Sequence, residues 1–300
     1  MTNFVNQSLS FFPTDVVTQG VDAQRAAYRA MTSHFACSPP SNLVVENSSV
    51  EGVPVRRYIP ENSSNNLRIL FAHGGGWYLG NLDSHDSFCA HLASDCDVEV
   101  IAIDYSLAPE SPFPAGLDDI ERVYQSLVTN SSPAIMLMGD SAGANLMAAL
   151  SLRLRRKGQT GAYAQCFIYP ALSKIGTLAS HRAMSDAPLL DLDSLYFCWE
   201  QYIQTPNISA LEAEELRPLE AQSHEFLPNT MLFAAEFDPL VDDARNYQQA
   251  LQAANVSVQL CIVRGLVHGS LHGFNVTEEG GILYSKVCDY VRSQLDILVS

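Results

Sequence analysis

The sequence predicts an α/β fold in which a mostly parallel sheet is covered by helices on both faces. Short apolar runs recur along the chain, and segments with helical spacing separate them. Strands buried on both faces of a parallel sheet consist of such apolar runs, and helical crossovers join them. The chain has 300 residues, of which 47% are hydrophobic and 17% are charged, so it can bury a sizeable core.

The elements follow one another in a regular order. The stretch "VDAQRAAYRAMTSHF" places small and apolar residues at helical spacing and predicts an amphipathic helix over residues 21–35. Strands are predicted at 53–59, 67–72, 98–105, 134–140, 162–170, 229–237 and 256–263. Helices between them are predicted at roughly 84–96, 114–129, 142–156, 241–254 and 281–298.

One segment interrupts this order. Residues 171–222 contain no convincing buried strand, and they are rich in Leu, Tyr, Phe and acidic side chains. An insertion of that length on an α/β sheet is often a lid or cap. We therefore expect one domain over residues 1–300, with a helical cap formed by about residues 1–45 and 171–222.

Composition excludes several classes of function. The net charge of −16 disfavours binding to nucleic acid or to anionic membrane surfaces. The sequence has neither an apolar stretch long enough to span a membrane nor the features of a signal peptide, so we expect a cytoplasmic location. The seven scattered cysteines form no CxxC pair and are interpreted as reduced, mostly buried thiols. Residues 12–31 are a candidate contact for a homodimer.

The stretch Gly139-Asp140-Ser141-Ala142-Gly143 fits the pattern G-x-S-x-G between a predicted strand and a predicted helix. This is the context of a nucleophile elbow, where a sharp turn exposes the serine hydroxyl at a helix N-terminus. A tight turn with an idle serine is the alternative. The position between strand and helix favours Ser141 as a nucleophile.

A nucleophilic serine needs a base and an acid that orients it. Asp238 follows a predicted strand directly, whereas Asp242 and Asp243 fall in the next helix and Glu236 lies on the strand itself. His268 follows the last strand and is the preferred base.

His272 lies four residues beyond His268 and remains an alternative base. The His-x-x-x-His spacing also suits zinc, but no convincing third ligand accompanies it. No metal or organic cofactor is expected.

Three consecutive glycines in "HGGGW" follow an early strand. A glycine loop at this point can build an oxyanion hole, because backbone N–H groups free of side chains can approach a substrate carbonyl. The N–H groups of Gly75 and Gly76 are the candidates, together with that of Ala142 after the nucleophile.

Several motifs occur together in one order: "HGGGW" at 73–77, "DYSLAPESPFPA" at 104–115, "GDSAGAN" at 139–145, "AAEFDPLVDD" at 234–243 and "GLVHG" at 265–269. In this the chain resembles the bacterial hormone-sensitive-lipase group of α/β hydrolases, particularly its acetyl-esterase-like members. The resemblance implies the α/β-hydrolase fold, with Ser141, Asp238 and His268 as the triad. It also implies an oxyanion hole of Gly75, Gly76 and Ala142, whose loop His73 and Gly74 hold.

The chain departs from the group's pattern at three positions. Ser106, Ala144 and Ser270 stand where an arginine, a glycine and an aromatic residue are usual. A second His-Gly pair, His272-Gly273, is followed by Phe274 and keeps His272 open as the base.

The function expected from these features is that of a serine carboxylesterase. It would hydrolyse small-molecule esters through an acyl-enzyme, and the resemblance implies short acyl chains, from acetyl to about hexanoyl. Trp77, Tyr78, Tyr169 and Leu240 are expected to line the substrate pocket. A binding protein without catalysis would usually lack a triad member. Amide hydrolysis and acyl transfer to an alcohol could use the same triad, and the sequence does not separate them from ester hydrolysis.

Overall fold

The structure is a computed structural model. It describes residues 1–13, 15–16, 18–61, 63, 66–128, 133–159, 161–204 and 207–299. Within these ranges the strands are β1 (Leu43–Val50), β2 (Val53–Pro60), β3 (Leu67–Ala72), β4 (Glu99–Ile103), β5 (Ala134–Asp140), β6 (Ala164–Ile168), β7 (Asn229–Phe237) and β8 (Val258–Val267). They form one sheet in the order β1-β2-β4-β3-β5-β6-β7-β8. β1 and β2 form an antiparallel hairpin, β2 is antiparallel to β4, and the pairs from β4 to β8 are parallel.

The helices cover both faces of the sheet. They are α1 (Thr2–Ser10), α2 (Val21–Phe35), α3 (Asp86–Cys96), α4 (Ala115–Leu127), α5 (Ala142–Arg156), α6 (Ala179–Ala183), α7 (Leu192–Tyr202), α8 (Ala210–Leu216), α9 (Val241–Ala253) and α10 (Glu278–Val299). Leu70 of β3 packs in one core with side chains of α4, α5 and α9, while Ile69 and Phe71 pack in a second core with α3 and α10. Successive strand residues point to opposite faces, so each apolar strand contributes to both cores. The predicted mostly parallel sheet between helical layers is confirmed.

The main difference from the sequence prediction is β1. Its sequence, "LVVENSSV", contains no continuous apolar run, and six of its eight residues are exposed. An edge strand with little burial lacks the apolar pattern that identifies the inner strands. The predicted end of one helix, residue 129, lies outside the described residues.

The two segments expected to form a cap are helical in the parts that the structure describes. Residues 1–45 contain α1 and α2 and run into β1, and residues 171–222 contain α6, α7 and α8 but no strand. Positions 14, 17, 205 and 206 of these segments lie outside the description. Among the described helices, none combines the length and apolarity that crossing a membrane would need.

Candidate active site

Ser141 stands at a sharp turn between β5 and α5. Its backbone has φ of 52° and ψ of −118°, a conformation that non-glycine residues rarely adopt. A Cβ atom at Gly139 would lie 2.7 Å from the carbonyl oxygen of Ala72, and one at Gly143 would overlap the same carbonyl group. The two glycines therefore let the turn pack directly against the end of β3.

His268 lies between Ser141 and Asp238. Its Nε2 is 2.9 Å from Ser141 Oγ, and its Nδ1 is 2.7 Å from Asp238 Oδ2. Asp238 follows β7, is fully buried, and accepts a second hydrogen bond from the backbone N–H of Leu240 at 2.8 Å. The ring of Tyr169 packs against His268 with centroids 4.6 Å apart. When Nδ1–H donates to the carboxylate, Nε2 is left to accept the serine proton.

The other acidic candidates have partners elsewhere. Asp242 and Asp243 lie in the first turn of α9, where Asp243 Oδ2 is 2.9 Å from His181 Nε2. Glu236 accepts a hydrogen bond from the backbone N–H of Gly265. The structure therefore brings only Asp238, of these four carboxylates, into hydrogen-bond contact with His268.

His272 lies in a short 3₁₀ turn after β8 and faces a different set of groups. Its Nε2 is 2.9 Å from the hydroxyl of Tyr28, and its ring packs edge-on against His85 at 4.7 Å. Burial and the neighbouring His85 lower the pKa of His272 to about 3. Among the described residues, the imidazole that contacts Ser141 Oγ is that of His268.

The glycine loop after β3 presents backbone groups to the same region. Gly75 and Gly76 have φ values of 122° and 58°, which favour glycine. The carbonyl of Gly75 accepts hydrogen bonds from the N–H groups of Tyr78 and Leu79, which closes the loop. Ala142 begins α5, and amides in a helix's first turn have no partner within the helix. These three N–H groups are therefore the candidates for binding an oxyanion.

Asp140, the residue before the serine, anchors the glycine loop. Its Oδ1 accepts a hydrogen bond of 2.7 Å from the N–H of Gly74 and lies 3.2 Å from Nε2 of His85. Burial alone would raise the pKa of Asp140, but the adjacent His85 and this amide lower it to about 2. His73 Nδ1 lies 2.9 Å from the carbonyl oxygen of Gly74, and burial, followed by His85, lowers the pKa of His73 to about 4. A carboxylate and a neutral imidazole thus hold Gly74 from two sides.

A cavity of about 490 Å³ opens onto Ser141 and His268. Its lining combines the glycine loop with residues from both cap segments: Phe4, Leu9, Phe12, Val16, Gln24, Tyr28, Met31, Gly75, Gly76, Trp77, Tyr78, Leu79, Asp140, Ala171, Asp186, Ala187, Pro188, Leu189, Leu190, Asp191, Ser194, Leu195, Cys198, Gly269 and His272. Trp77 and Tyr78, two of the predicted pocket residues, are among them. The lining is mainly apolar, as small-molecule sites generally are.

Tyr169 and Leu240, the other two predicted pocket residues, do not line this cavity. Tyr169 lies behind His268, where its hydroxyl is 3.3 Å from Asp140 Oδ2. Leu240 is 1% exposed and packs in the core under Asp238.

Sequence reasoning named few individual residues of the cavity lining. Gln24, Tyr28 and Met31 of α2 face it, and so do Leu195 and Cys198 of α7. The three residues of α2 are separated by four and three positions and the two residues of α7 by three, so each set lies on one face of its helix. The amphipathic pattern of α2 was visible in the sequence, but which element it covers depends on tertiary packing.

Among the described residues, no group of three His, Cys, Asp or Glu side chains is placed to hold a metal ion. The groups gathered around Ser141 are a serine hydroxyl, an imidazole, a carboxylate and backbone amides. These groups can transfer an acyl group by way of the serine oxygen.

Known proteins share this architecture. A model of the alpha/beta hydrolase fold matches residues 69–272. The chain is 33% identical over 276 residues to carboxylesterase NlhH of Mycobacterium tuberculosis, covering 87% of this chain and 86% of that protein. It is 32% identical over 254 residues to an ethyl acetate hydrolase of Pseudomonas putida, with coverage of 80% and 78%. The solved structure of ester hydrolase EH1AB1, from the metagenome of Lake Arreo, superposes with a TM-score of 0.88 at 27% identity and covers 98% of this chain and 96% of that one.

Proposed function

The chain belongs to the α/β-hydrolase family and is a carboxylic ester hydrolase, and we propose that it cleaves short-chain acyl esters through a Ser141–His268–Asp238 triad. The membership agrees with the resemblance to hormone-sensitive-lipase esterases in the sequence motifs. One observation carries the finer proposal: His268 bridges Ser141 Oγ and Asp238 Oδ2 at 2.9 and 2.7 Å. This is the geometry that a serine nucleophile, its general base and an orienting acid require.

In the first half of the reaction, His268 Nε2 takes the proton from Ser141 Oγ as this oxygen attacks the ester carbonyl carbon. Asp238 holds the imidazole in the required tautomer and stabilises the imidazolium that forms. His268 then gives its proton to the departing alcohol, and the acyl group stays on Ser141. Water then gives a proton to His268 and attacks the acyl carbon of this acyl-enzyme. As the carboxylic acid is released, His268 returns the proton to Ser141 Oγ.

The oxyanion of each tetrahedral intermediate would be bound by the N–H groups of Gly75, Gly76 and Ala142. Positive φ at both glycines and the anchoring of Gly74 by Asp140 fix the loop before substrate binds. Donors that are already oriented need no rearrangement in the transition state, and loss of one typically costs about 10²–10³ in rate.

The cavity supports a preference for short acyl chains. Its volume of about 490 Å³ must hold both the acyl and the alcohol part of the ester. Each buried CH₂ contributes about 0.8 kcal/mol until the pocket is filled. The relative named ethyl acetate hydrolase also supports small esters as substrates. We propose that activity is highest between acetyl and hexanoyl esters and falls at longer chains.

Hydrolysis of p-nitrophenyl esters from acetate to laurate tests this proposal, with Ser141→Ala as the control. The wild type should show maximal kcat/KM at or below hexanoate and a burst of p-nitrophenol as the acyl-enzyme accumulates. Mass spectrometry of the intact protein after an acid quench should find one acyl group. Mass spectrometry of its proteolytic peptides should locate that group on the peptide containing Ser141. Maximal activity on laurate would refute the chain-length preference, and an active Ser141→Ala variant would refute the mechanism.

A further inference from the structure

Helix α2 supplies a polar group to the wall of the cavity. Gln24, Tyr28 and Met31 lie on the face that lines it. The hydroxyl of Tyr28 is paired with Nε2 of His272 at 2.9 Å. The amide of Gln24 is the other polar group that α2 presents here.

The Gln24 amide is only half satisfied. The side chain is 4% exposed, and its Oε1 accepts a hydrogen bond of 2.8 Å from the hydroxyl of Tyr78. Its Nε2 is buried and has no hydrogen-bond partner among the described residues. A buried donor without a partner is costly, and native structures seldom retain one without a reason.

We propose that Gln24 Nε2 donates a hydrogen bond to a second oxygen of the substrate, one that is not part of the ester being cleaved. The inference rests on the proposed function, because it places the ester in the cavity that leads to Ser141. Tyr78 lies two residues after Gly76 and fixes the other end of the amide, so Gln24 is held in the wall of the cavity that also contains Ser141. The protein would thereby select esters that carry an additional hydrogen-bond acceptor.

The charges around the cavity restrict the kind of acceptor. Asp140, Asp186 and Asp191 line it, and its described lining includes no lysine or arginine. The lining histidines are His268, which is paired with Asp238, and His272, whose imidazole is buried against Tyr28. An anionic group would meet negative charge without a cation to offset it. The acceptor is therefore a neutral oxygen, such as an ether, a hydroxyl or a ketone.

Two pairs of esters of matched chain length test the inference, using the whole chain. Butyl acetate and 2-methoxyethyl acetate differ by one ether oxygen on the alcohol side. The p-nitrophenyl esters of pentanoic and 3-methoxypropanoic acid differ in the same way on the acyl side. For each pair, the ratio of kcat/KM for the ether to that for the alkyl ester is measured in the wild type, in Gln24→Met and in Met31→Leu.

Gln24→Met should lower this ratio about tenfold on at least one pair, because only the ether loses a hydrogen bond. Met31→Leu, which changes an apolar residue of the same helical face, should leave it unchanged. The fraction of folded protein and the intrinsic reactivity of each ester cancel in the comparison. A change of less than about threefold on both pairs, with butyl acetate still hydrolysed, would overturn the role of Gln24 alone. If the wild type cleaves none of the four esters, the proposed function fails and this inference fails with it.

Discussion

The two histidines after β8 give the sharpest test of the site. His268→Ala removes the group that contacts both Ser141 Oγ and Asp238 Oδ2. His272→Gln keeps a side chain that can still hydrogen-bond to the Tyr28 hydroxyl. The two positions are only four residues apart, so the pair of variants compares the two possible bases within one short segment.

The contacts of the two histidines predict very different losses of kcat in the two variants. Without His268, the serine loses its proton acceptor, and kcat should fall by about 10⁴- to 10⁶-fold. Asp238 should not orient His272 instead, because the imidazole of His272 is hydrogen-bonded to the Tyr28 hydroxyl and packs against the ring of His85. His272→Gln should therefore retain kcat within about tenfold and cost on the order of 1 kcal/mol of folding free energy.

The assay is hydrolysis of p-nitrophenyl butyrate at pH 7.5, accompanied by urea denaturation to measure the free energy of unfolding of each variant. Both variants must be folded under the assay conditions for the comparison to count. If His272→Gln is the inactive variant while His268→Ala retains activity, the base has been assigned to the wrong histidine. Loss of activity in both folded variants would show that His272 participates in the reaction.

Three further results are expected. Asp238→Asn should lower kcat about 10⁴-fold because the imidazole loses the partner that sets its tautomer, whereas Asp242→Asn should change kcat less than about threefold in the same assay. Arg25 donates hydrogen bonds of 2.9 Å to the backbone carbonyls of Tyr78 and Ala108. Arg25→Met should therefore lower the free energy of unfolding by about 1–3 kcal/mol, and it should raise KM because Tyr78 lines the cavity. Its exposed partner Glu110, changed to Gln, should cost less than about 1 kcal/mol, and an equal loss in both would contradict the importance of the carbonyl contacts. Burial lowers the pKa of His73 from 6.5 to about 4. As the pH falls, this imidazole is therefore protonated in the unfolded chain before it is protonated in the folded chain. The free energy of unfolding should then fall by about 2 kcal/mol between pH 7 and pH 5. Urea denaturation at pH 7 and pH 5 should show a smaller pH dependence in His73→Asn, and an unchanged dependence would refute this contribution.

Sequence reasoning reached the central sheet because its strands are buried on both faces. The strands β3, β5 and β7 are continuous apolar runs that end at chemically distinctive residues, so their ends could be located in the sequence. The edge strand β1 has no such run and was missed. Periodicity detects burial, and an element with one exposed side and an exposed edge carries little of that signal.

Ser141 and Asp238 could be proposed as nucleophile and acid because each follows a strand directly. The base was harder, since His268 and His272 share similar local sequences and only the fold decides which imidazole reaches Ser141. Most individual residues of the cavity lining could not be named for the same reason. Gln24 and Leu195 are more than 100 residues apart in sequence, and only the fold brings them to the wall of one cavity.

The glycine loop and the serine turn form one structural unit, which explains why both motifs occur in one chain. Ala72 ends β3 and its carbonyl touches the turn so closely that neither Gly139 nor Gly143 has room for a side chain. Asp140 reaches back from the turn to bind the amide of Gly74. The end of β5, which carries the proposed nucleophile Ser141 just beyond it, thus also fixes the loop that would bind the oxyanion. A side chain at either glycine would separate the two halves of the site, so activity should be sensitive to these positions although neither contacts the substrate's reacting atoms.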